Sequence, residues 1–388
     1  MRGGYKQTEV GLIPEEWNAV PLSAVCSMKS GASITSRDLS SAGRIPCYGG
    51  NGLRGYSSTS THDGEYVLIG RQGALCGNVI NVRGKFFASE HAIVVTNKYK
   101  SNIVWLSYVL NRMNLNQYSE SSAQPGLSVS KLTSLQIIAP SDPKEQNAIA
   151  EALSDVDALI ESLEKLIAKK RVIKIASMQE LLTGKGRLSG FDGDWAKLTL
   201  GEVCSDISDG THFTPNYVTT GVPFYSVENV TADDFTNVKY ITQSEHNVLV
   251  KRCRPERGDI LLTRIGSIGD TRLIDWEVDA SIYVSLALLK INNKVEAKYL
   301  YEFTKSNYFI KDILSRSLLN ATPKKINMGD IKNVTIKAPK SRDEQLAIAR
   351  ILSEMQTEIA RIEEQLSKSR KLKAGMMQEL LTGRTRLV

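Results

Sequence analysis

The sequence is poor in the groups that carry covalent, metal or membrane chemistry. Its cysteines number five, Cys26, Cys47, Cys76, Cys204 and Cys253. They are odd in number, far apart and without a Cys-x-x-Cys pair, which argues against a disulfide framework and for reduced, buried thiols. The four histidines, His62, His91, His212 and His246, are equally scattered, and none stands at zinc-ligand spacing from another His or a Cys. No apolar run approaches the ~18 residues that a membrane helix needs; the best candidate, 281–289, ends at Lys290. The opening Met1-Arg2-Gly3-Gly4-Tyr5-Lys6 lacks the apolar core of a secretory signal. A cytoplasmic location and no membrane partner are the expectations.

Catalytic motifs are missing too. There is no Gly-x-x-x-x-Gly-Lys-Ser/Thr phosphate loop, no Gly-x-Gly-x-x-Gly opening a helix, no Gly-x-Ser-x-Gly and no Asn/Asp-Pro-Pro-Tyr/Phe. Glu296-Ala297-Lys298 downstream of Asp279 faintly imitates a metal-nuclease set, but a solvated helix start is the better reading of so common a triplet. No catalytic, cofactor-binding or metal residue is assigned.

What is present is a globular chain of 388 residues, 41% hydrophobic and 23% charged, long enough for two or three domains. Its formal charge of +7 favours a polyanionic partner only mildly. The surplus is uneven: +5 over residues 1–141, −1 over 142–185, +1 over 186–340 and +2 from 341 on.

The strongest signal is an internal duplication. Ala139-Pro140 and Glu145-Gln146 recur as Ala338-Pro339 and Glu344-Gln345. Met178-Gln179-Glu180-Leu181-Leu182-Thr183-Gly184 recurs as Met377-Gln378-Glu379-Leu380-Leu381-Thr382-Gly383. One offset of 199 residues aligns both ends without a gap, with 23 identities in 50 pairs, too many for unrelated segments. Each copy reads as one long helix. The first opens on Asp142 as N-cap with Pro143 at the first helical position and Glu145 behind it; the second opens on the capping box Ser341-x-x-Glu344. Ile149, Leu153, Val156, Ile160, Leu163 and Ile167 form a heptad seam in one, and Ile348, Leu352, Met355, Ile359, Ile362 and Leu366 form it in the other. Gly184 and Gly383 end them. About 40 residues make a rod of about 60 Å. Matching seams in duplicated helices predict an antiparallel intramolecular pair around a pseudo-twofold axis, with packing on separate domains or other chains as the alternative. The N-terminal segment is expected beside the end of the second helix.

The segments between the helices echo each other more faintly. Trp17 and Leu22 match Trp195 and Leu200; Leu68-Ile69-Gly70-Arg71-Gln72-Gly73 resembles Leu261-Leu262-Thr263-Arg264-Ile265-Gly266. Strands are predicted over 65–69, 91–95, 259–262 and 283–291, and helical spacing over 103–115 and 297–315. The fold class is α+β. The chain divides into a mixed domain (1–141), a helix (142–185), a second mixed domain (186–340) and a second helix (341–388).

Recognition chemistry remains. The segment from Tyr48 to Tyr56 is rich in glycine and carries Asn51 and Arg54, residue types that make bidentate contacts with adenine and guanine edges; a plain turn cluster with structural tyrosines is the alternative. Arg71 and Gln72, and Arg264 in the other half, end strands beside glycine, where they suit phosphate or base contacts or a salt-bridged scaffold. Lys324 and Lys325 after Pro323, like Lys131 after Pro125, suit phosphate clamps or plain solvated lysines.

Taken together, the duplicated Glu-Gln-x-x-Ile-Ala helices ending in Gln-Glu-Leu-Leu-Thr-Gly, the tryptophans at the start of each domain and the tyrosine–glycine loop resemble the specificity subunit of type I restriction–modification systems. The resemblance covers nearly the whole chain. It implies two target recognition domains, each reading half of a split, asymmetric site in double-stranded DNA, and a coiled-coil spacer that fixes the gap. It implies docking of two methyltransferase subunits, through which restriction (translocase) subunits join. Catalysis would belong to those partners, with S-adenosylmethionine, ATP and magnesium, and no cofactor to this chain. Half-sites one turn apart, ~34 Å, fit within such a rod. A DNA-modifying enzyme in its own right and a protein-only coiled-coil adaptor are the competing readings.

Overall fold

The computed structural model describes residues 4–50, 52–73, 75–98, 101–119 and 125–387. The chain folds into two compact units, Met1–Glu164 with Glu364–Val388, and Lys165–Glu363. Each unit therefore holds one mixed domain, the opening half of the long helix that follows it, and the closing half of the other long helix.

In the first unit, six strands form one sheet in the order Cys26–Ser30, Ala92–Asn97, His62–Gly70, Val79–Ala88, Ile45–Gly49 and Gly52–Ser57. All pairings are antiparallel except that of Ile45–Gly49 with Val79–Ala88. A helix, Ile103–Arg112, packs on the sheet; Asn102 caps it by accepting from the Val104 and Trp105 N–H groups, a cap worth about 1 kcal/mol. Its Trp105, Leu106 and Leu110 are fully buried, each contributing about 1.5–3 kcal/mol. Trp17–Pro21 pairs with Gln136–Pro140, and the hairpin Tyr5–Thr8/Gly11–Pro14 lies before it.

The second unit repeats the frame with changes. Trp195–Thr199 pairs with Thr335–Pro339. One four-stranded sheet runs Cys204–Asp209, Leu286–Ile291, Ile260–Thr263, Thr271–Leu273; another runs Tyr217–Val218, Lys239–Ile241, Val222–Tyr225, Ser281–Ile282. The strand expected over 283–291 is therefore shorter and starts at Leu286. Leu286 N–H donates to Tyr283 O, a turn that sends the chain from one sheet to the other. The expected helix over 297–315 is two, Ala297–Thr304 and Asn307–Ser315, because Ser306 caps the second by accepting from Phe309 N–H. The helix expected to reach 115 stops at Arg112, and Asn114 adopts left-handed φ of 48°.

The long helices are Pro143–Leu181 and Arg342–Leu380, 39 residues each. Gly184 and Gly383 take φ of 75° and 71° just past their ends, the left-handed stop that glycine tolerates. Within the first unit Arg370 pairs with Glu164 at 2.7 Å and Lys373 with Asp157 at 2.6 Å; within the second, Arg171 pairs with Glu363 at 2.5 Å and Lys170 with Glu358 at 2.7 Å. Rising numbers on one helix meet falling numbers on the other, so inside each unit the halves run antiparallel. Among the seam residues Ile149, Leu153, Leu163, Ile167, Ile348, Leu352, Ile359, Ile362 and Leu366 are buried, while Val156, Ile160 and Met355 are half-buried. Ile149 and Leu153 also belong to the core of the first domain, as Ile348 and Leu352 do to that of the second.

The helix starts differ from expectation in one respect. Lys144 N–H is capped by Asp142 Oδ1 at 2.9 Å, and Ser341 Oγ accepts from Glu344 N–H at 3.4 Å. The Glu344 carboxylate, however, does not complete a capping box. It receives Arg187 Nε and Nη2, both at 2.8 Å, and its counterpart Glu145 receives Arg386 and Trp17 Nε1. Both carboxylates are 1% exposed, and a buried anion gains more from a guanidinium than from a backbone N–H. The C-terminal segment thereby lies beside the N-terminal hairpin: Arg386 also pairs with Glu16, and Tyr5 Oη donates to Gly383 O at 3.4 Å.

Candidate nucleic-acid interface

In each unit a central strand runs out into an Arg-x-Gly segment, Arg71-Gln72-Gly73 after His62–Gly70 and Arg264-Ile265-Gly266 after Ile260–Thr263. Three backbone hydrogen bonds hold both segments alike. Arg71 N–H donates to His91 O and Arg264 N–H to Ser285 O, each at 2.9 Å. Arg71 O accepts from Leu127 N–H and Arg264 O from Ile326 N–H, again at 2.9 Å. Gly73 N–H donates to Pro125 O and Gly266 N–H to Lys324 O, at 3.0 and 2.8 Å.

On this shared frame the two guanidiniums do different things. Arg264 is 7% exposed. Its Nη1 donates to Asp209 Oδ2 at 3.1 Å and Val284 O at 3.0 Å, and its Nε to Ile326 O at 3.3 Å. Burial pulls its pKa down and Asp209 opposes that. This is the scaffold alternative, with the donors turned inward. Asp209 also accepts from Arg252 Nη2 at 2.5 Å and lies 3.0 Å from His212 Nε2. In the first unit Ser30 holds the place of Asp209. Ser30 opposes Ile93 as Asp209 opposes Ala287, and two residues on, Ala32 bridges Ser89 as Thr211 bridges Tyr283. Arg71 thus has no internal carboxylate at that place. It is half-buried and makes no side-chain hydrogen bond or ion pair among the described residues.

Around Arg71 the fold gathers several residues that are distant in sequence. Gln72 Oε1 lies 3.0 Å from His91 Nδ1, His91 Nε2 lies 3.1 Å from Glu90 Oε1, and Arg54 Nη1 lies 3.8 Å from that oxygen. Tyr48 O accepts from Ser89 N–H at 2.8 Å, and the Tyr48 ring stands edge-on to Phe86 at 5.9 Å. A Cβ on Gly50 would lie 3.0 Å from Gln72 O and 3.2 Å from His91 O, so a side chain there would crowd two carbonyls of this loop. Tyr48, Arg54, Arg71 and Gln72 therefore share one patch. Asn51 lies outside the described residues. Lys324 and Lys325 are exposed beside the Arg264 segment. Lys131 is not their counterpart: Pro125 and Gly126 pair at their place, whereas Lys131 sits half-buried in the helix Val129–Ser134.

Sequence reasoning passed over Glu90 and His91, which tie this patch together, and over Asp209 and the exposed Phe213 (79% exposed). The segment Asp209-Gly210-Thr211-His212-Phe213 carries a signal that was available, a glycine turn with an aromatic residue at a strand end. Glu90 and His91 carry none, because only strand adjacency brings them to Gln72.

His246 lies 2.9 Å from Ser281 Oγ and 3.0 Å from Asp279 Oδ1, but Ser281 is 1% exposed and out of reach of a substrate. Burial pushes the Cys26 and Cys204 thiols up to about 12, away from thiolate chemistry. Among the described residues no group of three or more His, Cys, Asp or Glu is arranged to hold a metal ion, and no helix is long and apolar enough to cross a membrane. A groove of about 1190 Å³ runs between Ala297–Thr304 and the opening half of Arg342–Leu380, lined by charges of both signs.

Such a chain is a recognition module present twice. Comparison with known proteins gives the module its class: residues 14–169 and 192–369 each match the type I restriction modification DNA specificity domain. These stretches make up most of the sequence, and the chain belongs to this family, the specificity subunits of type I restriction–modification systems. It is 42% identical over 166 residues to the type I restriction enzyme EcoprrI specificity subunit of Escherichia coli, a match spanning 42% of this chain and 40% of that one. It is 26% identical over 353 residues to the putative specificity subunit S.HindORF215P of Haemophilus influenzae, 88% of each chain. The crystal structure of the S subunit from M. genitalium superposes with a TM-score of 0.70 over 94% of this chain and 96% of that chain at 18% identity, a likeness of fold.

Proposed function

We propose that the chain reads a bipartite, asymmetric sequence in double-stranded DNA, one half-site per recognition domain, and docks two methyltransferase subunits through which the restriction subunits join. On this reading the chain is not itself catalytic. Its partners carry out N6-adenine methylation with S-adenosylmethionine and cleavage with ATP and magnesium, in the cytoplasm. The observation that carries the reading is one backbone frame, used twice, with different side chains on its edges. Two copies of a frame give two readers, and divergent edges give two different half-sites, hence a target without palindromic symmetry. The first domain, with its surplus of positive charge and an Arg71 left unpaired, supports a phosphate or base contact in that half.

The test is a domain exchange in the assembled enzyme, read by sequencing the methylated genome. Replacing the first recognition domain by a relative's should change one half of the methylated sequence and leave the other intact; a change in both halves overturns the two-reader scheme. Inserting four residues in the first long helix should lengthen the unread gap, and an unchanged gap removes the spacer role.

A further inference from the structure

Each unit contains a lysine that the closing half of one long helix sets against the opening half of the other. In the first unit this is Lys373. Its Nζ lies 2.6 Å from Asp157 Oδ1 and 5.5 Å from the centre of the Tyr108 ring, and Tyr108 Oη donates to Asp157 Oδ2 at 2.8 Å. In the second it is Lys174, 9% exposed, whose Nζ donates to Gln356 Oε1 at 2.6 Å. Lys174 and Lys373 are 199 residues apart, as are Asp157 and Gln356. Tyr108 and Glu302 correspond as well. Each is the sixth residue after an N-cap, Asn102 or Glu296, whose N–H donates to Gln146 Oε1 at 3.0 Å or Gln345 Oε1 at 2.7 Å.

Equivalent positions thus stand by each lysine, but the carboxylate has moved: Lys373 pairs directly with Asp157, whereas Lys174 bonds Gln356 and makes no ion pair with Glu302. In the first unit it stands on the long helix, as Asp157, and the domain's helix offers a phenol that burial pushes up to about 12, so Tyr108 stays neutral. In the second the long helix offers a neutral amide, and the carboxylate stands on the domain's helix, as Glu302, 4% exposed. Glu302 Oε1 receives Lys305 Nζ at 2.8 Å; Oε2 is buried with no hydrogen-bond partner among the described residues. A lysine out of water needs an anion near it. Burial depresses the Lys174 pKa, Glu302 opposes the depression, and Lys305 adds to it.

We propose that Lys174 and Lys373 are positioning residues that fasten each recognition domain to its pair of helix halves through one relocatable carboxylate, so that a domain and the opening half of its own following helix form a single exchangeable module. The module must run through Asp157 in the first half of the chain and through Gln356 in the second. A junction at residue 141 separates Tyr108 from Asp157. Joined to a helix of the other type, the domain then leaves its lysine with no carboxylate.

The test uses the full-length chain and thermal unfolding, so its result does not depend on DNA reading. Glu302→Gln should lower Tm by about 5 °C, the scale of breaking one partly buried pair in a unit of this size. Adding Gln356→Asp, which supplies the carboxylate where Asp157 has it, should recover at least half of the loss. In a Lys174→Met background Glu302→Gln should change Tm by less than half as much as in the parent. Should Glu302→Gln alone not fold, recovery of a folded chain by either second substitution carries the same meaning. Losses that add, with no recovery from Gln356→Asp and an undiminished Glu302→Gln effect beside Lys174→Met, overturn the proposal.

Discussion

Arg71 and Arg264 stand on the same backbone frame, with three matching hydrogen bonds each, and differ in one neighbour. Asp209 draws Arg264 inward; Ser30, at the same register in the other half, does not draw Arg71. A guanidinium pulled under the surface by a buried carboxylate organises the domain. One without such a partner keeps donors for a phosphate or a guanine edge. Duplication therefore preserves where an arginine stands, and a single neighbouring residue decides whether its donors are used inside the fold.

The comparison is broken most directly by deleting each arginine. Arg264→Ala leaves Asp209 buried with one cation fewer and should destabilise the chain by about 3–5 kcal/mol, whereas Arg71→Ala should leave thermal unfolding within about 0.5 kcal/mol of the parent. Equal losses of stability would put both arginines in the scaffold. In the assembled enzyme, Arg71→Ala should weaken binding of the methylated target about tenfold. If the contact is to phosphate, it should also reduce the slope of log affinity against log salt by about 0.9. Unaltered affinity removes Arg71 from the interface. Ser30→Asp sharpens the contrast by giving the first unit the carboxylate of the second: target affinity should fall several-fold, up to the loss seen for Arg71→Ala, with stability kept or raised. Loss of stability without loss of affinity would show that the two frames are not interchangeable. The smallest effect belongs to the exposed lysines. Lys324→Ala and Lys325→Ala should each cost about twofold to threefold in affinity, measurable at low salt and fading at high salt.

The helix pair was the most legible part of the fold. A heptad seam repeated at one offset, with caps at one end and glycine at the other, specifies two helices through local propensity and periodicity alone. The mixed domains were less legible wherever the chain changes partner. The run 283–291 reads as one strand because its residues are uniformly apolar, yet the turn at Tyr283–Leu286 sends its two ends into separate sheets. In the same way Ser306 divides a helical pattern that hydrophobic spacing carries straight through. For the candidate interface, the sequence marked Arg71 and Arg264 as equivalents but contained nothing to tell them apart, since Asp209 is 55 residues from Arg264. Lys131 and Lys324-Lys325, alike in following a proline, stand at different places in the two frames, because proximity to a proline says nothing of which strand pairs there.

The sequence by itself determined the duplication, the two long helices with their seams and stops, and the absence of familiar catalytic motifs, because all three are written in local pattern. The tertiary structure alone decided which charges are paired. Glu145 and Glu344 became buried partners of Arg386 and Arg187 instead of reaching back to the helix starts, and Arg264 turned inward while Arg71 did not. The reason is physical: the strength of an ion pair depends on burial and on geometry over a few ångströms, and residues far apart in the chain set both.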